Sequence, residues 1–159
     1  MRMAVPAHLT IKTDNLRFDS LLSDWRWLVS SDFTPVLMTS FGDLFLRGRS
    51  GRISLLNLMA GELKPVAESP EEFDRLCDDR EQRRGWFIGF LLTEVRKLHG
   101  ELAGGQCYSC KVPLSLGGRL EADNFQRMDL QVHYSILGPL HRQTRHLPPG
   151  TKIESIKIE

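Results

Sequence analysis

Cys107 and Cys110, in the tetrapeptide CYSC, have the one spacing in this 159-residue chain that invites redox chemistry or half of a zinc site. A redox CxxC works because its first thiol sits at a helix N-terminus, where the pKa falls. Here the pair lies in QCYSCKV, Gln106 to Val112, which reads as a strand stopped by Pro113. Residues three apart on a strand point to opposite faces, so the thiols diverge. A structural zinc needs further ligands at recognised spacing, and there is no second CxxC. His99, His133, His141 and His146 do not supply that spacing. The cysteines therefore read as two small apolar residues, one facing the core and one near the surface. An enzymatic, metal-binding or small-molecule-binding domain using Cys107, Cys110 or His133 stands as the alternative. His133 otherwise reads as a core histidine bonded to backbone, and His141 and His146 as complements to a helix dipole.

The second feature with chemical content is charge. From Glu68 to Glu81 seven carboxylates face two arginines, a local net of about −5 in a chain whose formal net charge is +1. Glu71, Glu72, Asp74, Asp78 and Asp79 lack the alternating order of a calcium-binding loop. They read either as a solvated helix face or as a surface that docks a basic protein. Such a patch repels nucleic acid, whose binding depends on neutralising phosphates. Gly48-Arg49-Ser50-Gly51 lacks the lysine and the strand-to-helix setting of a phosphate loop, and no GxSxG elbow occurs. No cofactor and no metal are expected.

These side chains need a scaffold, and its centre is the stretch Phe33 to Leu58. Val36 to Met38, Leu44 to Leu46 and Ile53 to Leu58 read as three strands, with turns at Ser40-Phe41-Gly42-Asp43 and Arg47 to Gly51. Leu63 to Ala67 adds a fourth. Before them, Leu16, Phe18, Leu21, Leu22, Trp25, Leu28 and Val29 predict one amphipathic helix capped by Asp14 or Asn15. Trp27 falls off that stripe, as a rim residue or part of a contact surface. Ser69-Pro70-Glu71-Glu72 announces a short helix to about Cys77, with serine at the cap and proline at the first helical position. A longer helix is predicted from about Glu81 to Leu98, burying Trp86, Phe87, Phe90, Leu91, Val95 and Leu98. Leu120 to Val132 is ambiguous, and a last helix is predicted from Val132 or Ser135 to Leu147, with Pro139 in its first turns or at a kink. Met1 to Thr13 reads as a loose lead-in, and Lys152 to Glu159 as a tail or short edge strand.

The sum is an α+β single domain, an antiparallel β-meander packed against several helices. A chain with 41% hydrophobic and 26% charged residues suits a folded domain, and no apolar run is long enough to span a membrane. With three cysteines and no export signal, a cytoplasmic protein with reduced thiols is expected.

The blocks FGDLFLRGRSGRISLLNLMAGELKPVAESPEEF, GQCYSCKVPLSLGG and VHYSILGPLHRQTRHLPPGTKI, in that order over roughly Trp25 to Ile153, resemble a known family. It is the C-terminal domain family of bacterial type VI secretion immunity proteins of the Tdi type, related to the SUKH immunity superfamily. Phe41-Gly42-Asp43 with Phe45, the pair Gly117-Gly118, and Leu147-Pro148 with Gly150-Thr151 carry the match. The resemblance implies a SUKH-like α+β fold and a non-catalytic role: binding a cognate toxin, in the characterised type a DNase effector. The motif residues read as fold-maintaining: a turn glycine, a capping aspartate and a helix terminator. For the toxin contact, the charge and the aromatics point to Trp27, Glu71, Glu72, Asp74, Asp78, Asp79 and Trp86. An orphan interaction scaffold without a toxin is the other reading. Two departures stand out: relatives carry a longer N-terminal portion resembling a GAD-like domain, and Pro139 stands where the family prefers a polar residue.

Overall fold

The computed structural model describes residues 5–148 and 150–151. Five antiparallel strands lie side by side in chain order: β1 (Thr10–Ile11), β2 (Thr34–Thr39), β3 (Leu44–Arg47), β4 (Ile53–Asn57) and β5 (Glu62–Ala67). The meander is as the sequence predicts, with one strand more. Part of the supposed lead-in pairs with β2, Thr10 opposite Thr39 and Ile11 opposite Met38. The tail 152–159 lies outside the described residues.

Consecutive apolar residues in β3 explain the layering. In a strand successive side chains alternate between faces, so an unbroken apolar run requires cover on both sides. Leu44 and Leu46 join a core with Trp25, Tyr134 and Leu140, whereas Phe45 between them joins Phe73, Cys77 and Phe87. One face is covered by α1 (Phe18–Leu21), a 3-10 turn at Ser23–Trp25 and α5 (Leu130–Thr144). The other is covered by α2 (Pro70–Asp78) and α3 (Arg80–Phe87). A third cluster, around Phe41, Tyr108 and Phe125, joins α4 (Gly89–His99) to a two-stranded sheet of β6 (Gln106–Cys110) and β7 (Phe125–Asp129).

Three predicted helices differ from those observed. The first is not continuous from Leu16 to Val29: Ser23 Oγ donates to the Ser20 carbonyl at 2.8 Å, an alternative to helical pairing, and Trp25 Nε1 donates to the Tyr134 carbonyl at 3.0 Å. Burying Trp25 outweighs helix propensity. The predicted Glu81–Leu98 helix is two helices, broken at Ile88, whose φ of 48° places a β-branched residue in the left-handed region. The break lets Phe87 enter the Phe45 cluster while Leu91, Leu92 and Val95 enter the Phe41 cluster. As a consequence Phe90 and Leu98, predicted buried, are 67% and 58% exposed. The last helix starts earlier, capped by Asp129, whose side chain accepts from Val132 N, and Pro139 sits buried inside it rather than in its first turns. The helix ends at Thr144, ahead of the Leu147–Thr151 block.

Candidate functional site

The acidic helix α2 forms as its residues dictate. Ser69 Oγ accepts the Glu72 amide at 3.1 Å, and Pro70 occupies the first turn. Phe73 and Cys77 face the sheet, which leaves Glu71 and Asp78 exposed, seven residues apart and so on one side of the helix, with Arg75 between them. Glu72 and Asp74 are half-buried at the flanks. Asp79 is committed to structure: its Oδ1 accepts the amides of Glu81 and Gln82 and caps α3. Glu68 accepts both Nε and Nη2 of Arg52 at 3.2 Å. Continuing through α3 to Arg84, the seven carboxylates meet four arginines, so the net is about −3 over residues 68–84. The patch is milder than its sequence density suggests.

Trp86 adjoins this helix. It is half-buried, stacked on Phe73 at 5.7 Å and edge-on to Phe45 at 5.1 Å. Its far side borders an open groove of about 580 Å³ lined by Asp43, Leu55, Asn57, Met59, Ala60, Gly85, Trp86, Ile88, Leu114, Ser115 and Leu120. The groove lies between β4, the end of α3 and the loop preceding β7. Sequence reading missed it, because its walls come from four separate segments. The available signal was Leu120, an apolar residue beside two glycines, which is 46% exposed.

Trp27 is not brought to this surface. It packs with the Trp25 and Tyr134 core on the opposite face of the sheet, stacks on Trp25 at 6.0 Å, and lies under the Arg145 guanidinium at 5.1 Å. It borders a pocket of about 210 Å³ with Asp24, Arg26 and Arg142, a setting of mixed charge.

The turn Phe41-Gly42-Asp43 is where the layers meet. The Ser40 carbonyl accepts Tyr108 N from β6 at 2.9 Å, the Gly42 carbonyl accepts the Tyr134 hydroxyl from α5, and Thr39 Oγ1 accepts the amides of Phe41 and Asp43. Gly42 has φ of 88°, and a Cβ there would stand 3.1 Å from the His133 ring and 3.3 Å from Leu58. Phe41 packs 5.3 Å from Phe125. Asp43 caps a backbone amide across the turn. It is 4% exposed, its Oδ1 accepts Leu58 N at 2.9 Å, and burial pushes its carboxyl up to about 7 against that stabilising bond.

Gly117 and Gly118 hold the loop at the groove's rim. A Cβ on Gly118 would meet the Val112 carbonyl at 1.8 Å, so only glycine fits. Asn124 clamps the same loop, with Nδ2 donating to Val112 O and Arg119 O and Oδ1 accepting Val112 N. Leu147, Pro148 and Gly150 form exposed turns after α5, with Thr151 N donating to Pro148 O.

The cysteine and histidine alternative gains no geometry. Cys107 is fully buried and Cys110 half-buried at opposite ends of β6, and burial raises both thiols, Cys110 to about 11. Neither is a thiolate at neutral pH. His133 bonds through Nδ1 to Ser109 Oγ at 2.8 Å, and burial pushes it down to about 4 against a hydrogen bond with the Phe41 backbone, in keeping with the expected backbone-bonded core histidine. His141 lies in the last turn of α5, as expected, and is buried there with its Nε2 bonded to the Leu58 carbonyl at 2.7 Å. Among the described residues no three His, Cys, Asp or Glu side chains are grouped to hold a metal ion, and no helix is long and apolar enough to cross a membrane.

Residues 67–141, just under half of the chain, match the family model described as T6SS immunity protein Tdi1, C-terminal. The matched stretch runs from the end of β5 into α5 and contains α2, Trp86, Gly117 and Gly118; it leaves the Phe41–Phe45 and Leu147–Thr151 blocks outside. It is narrower than the resemblance read from the sequence. Among solved structures, the crystal structure of Atu4351 from Agrobacterium tumefaciens is similar, with a TM-score of 0.52 at 16% identity, covering 76% of this chain. This chain spans 63% of that one, and at this identity the likeness is one of fold. No curated protein matches the chain.

Proposed function

We propose that this chain is an immunity protein of type VI secretion that binds a cognate toxin in the cytoplasm of the producing cell and blocks it without catalysis. The match of residues 67–141 to the immunity family model carries this reading and supports an immunity function. The partner we propose is a basic nuclease effector. Its contact is the face formed by α2 and α3, where Glu71 and Asp78 are exposed and Trp86 is half-buried. Opposite charge on the toxin would speed encounter, and an aromatic partly desolvated at the surface is the kind of residue on which interface energy concentrates. Trp27 lies on the opposite face of the sheet, so it falls outside this contact.

Co-expression tests the function. The product of the open reading frame next to this gene is expressed with and without this chain, and growth and DNA integrity are followed. Protection together with a purified complex supports the reading; a toxic neighbour that this chain neither binds nor neutralises removes it.

A further inference from the structure

The groove beside Trp86 combines apolar walls with one buried acid. Its walls are apolar: Leu55, Met59, Trp86, Ile88, Leu114 and Leu120. Its one ionisable lining residue is Asp43, which is 4% exposed. Among the described residues the Leu58 amide, on Oδ1, is the one hydrogen-bond donor to that carboxylate. A carboxylate so placed is short of partners, since each oxygen accepts two hydrogen bonds and an ionised one does so most strongly from a cation. The indole of Trp86 lines the same groove, and a cation seated over its ring would gain further attraction.

We propose that this groove is a socket for a basic side chain of the toxin, its guanidinium or ammonium on Asp43 and its aliphatic stem along the apolar walls. The inference rests on the immunity reading for the identity of the partner and deepens it by naming the anchor. The chemistry follows from the shape. Lysine and arginine carry an apolar stem that packs on hydrocarbon while the head seeks charge, which an apolar groove with one buried acid in its lining accommodates. The acidic helix α2, reached through the Trp86 and Phe73 stack, guides the same kind of partner to this side of the molecule. The position of the carboxyl near 7 agrees with the site: an approaching cation favours its ionised form and so pulls the proton off.

The probe is n-hexylguanidinium chloride, with n-hexanol as the uncharged control, titrated into the 15N- and 13C-labelled full chain. The expected result is shifts confined to the Trp86 indole, Ile88 and Leu120. Hexanol should bind roughly tenfold or more weakly, and the Asp43 titration midpoint should fall by about one unit or more on saturation. Leu120→Lys, at an exposed rim position, should weaken the cation by a similar factor without unfolding the chain, which keeps the test open if Asp43→Asn misfolds. Equal binding of hexanol, or scattered shifts, overturns the socket. With toxin in hand, Leu120→Lys should weaken its binding about tenfold. Unchanged toxin binding by that variant overturns the socket and leaves the immunity reading intact. A probe that binds as expected while no toxin does overturns the immunity reading and the toxin as occupant.

Discussion

Asp43 accepts the Leu58 backbone amide at 2.9 Å and thereby ties the turn between β2 and β3 to the residue that follows β4. Gly42 accepts the Tyr134 hydroxyl next to it, and His141 holds the Leu58 carbonyl from the same helix. The turn, the strand end and α5 are thus one hydrogen-bonded unit, with the groove on its outer side.

The buried acid and the buried histidine of this unit work against each other in pH. Asp43 is raised to about 7, so between about pH 4 and pH 7 the folded chain holds a proton that the unfolded chain has lost, and this group alone lowers stability as pH rises. His133 is lowered to about 4, so between pH 4 and 6.5 the unfolded chain holds a proton that the folded chain lacks, and this group alone lowers stability as pH falls. The two offset, and His141, also lowered by burial, tilts the balance toward loss in acid. Asp43→Asn removes the opposing member. Urea unfolding of that variant should lose up to about 1.4 kcal/mol per pH unit more than the native chain between pH 6.5 and 4; parallel curves would contradict the assignment.

Gly42→Val places a β-branched side chain at φ of 88° and against the His133 ring. The expected cost is about 2–4 kcal/mol, read from thermal or urea unfolding. Any loss of toxin binding should track the unfolded fraction. A variant as stable as the native chain would show that the turn relaxes freely.

Asn124→Ala should release the loop that forms the groove's rim, because three hydrogen bonds to Val112 and Arg119 go with one side chain. Amide exchange at Val112 should quicken, with about 1–3 kcal/mol lost in global stability. Unchanged exchange at Val112 would argue that the glycine pair alone sets the loop.

Much of this architecture is legible in the chain, for reasons that differ by residue. The consecutive Leu44-Phe45-Leu46 signals a strand covered on both faces, and Ser69-Pro70 marks a helix start that the hydrogen bond to Glu72 realises. The break at Ile88 is not legible, since periodicity runs through it and only the competition between two cores decides it. The position of Trp27 is equally hidden: Trp25 drags its turn toward Tyr134 and carries Trp27 to the far face of the sheet. For the groove, Asp43 and Leu120 are 77 positions apart in sequence, and only the meander and the two small strands bring them together.

The acidic residues divide by what they hold. Asp79→Ala should cost about 1 kcal/mol, because it removes the cap of α3, whereas Glu71→Lys with Asp78→Lys should change stability by no more than about 0.5 kcal/mol. Chemical denaturation of the two variants checks the difference; equal losses would mean that the exposed pair supports the fold.

The proposed toxin contact is the face bearing α2 and Trp86. Its most direct measurement is the affinity and salt dependence of the complex with the neighbouring gene's toxin, for the native chain and for Glu71→Lys with Asp78→Lys. The expected result is slower association, weaker binding and a flatter salt dependence in the variant. Identical affinity and salt dependence, with protection intact, would contradict it.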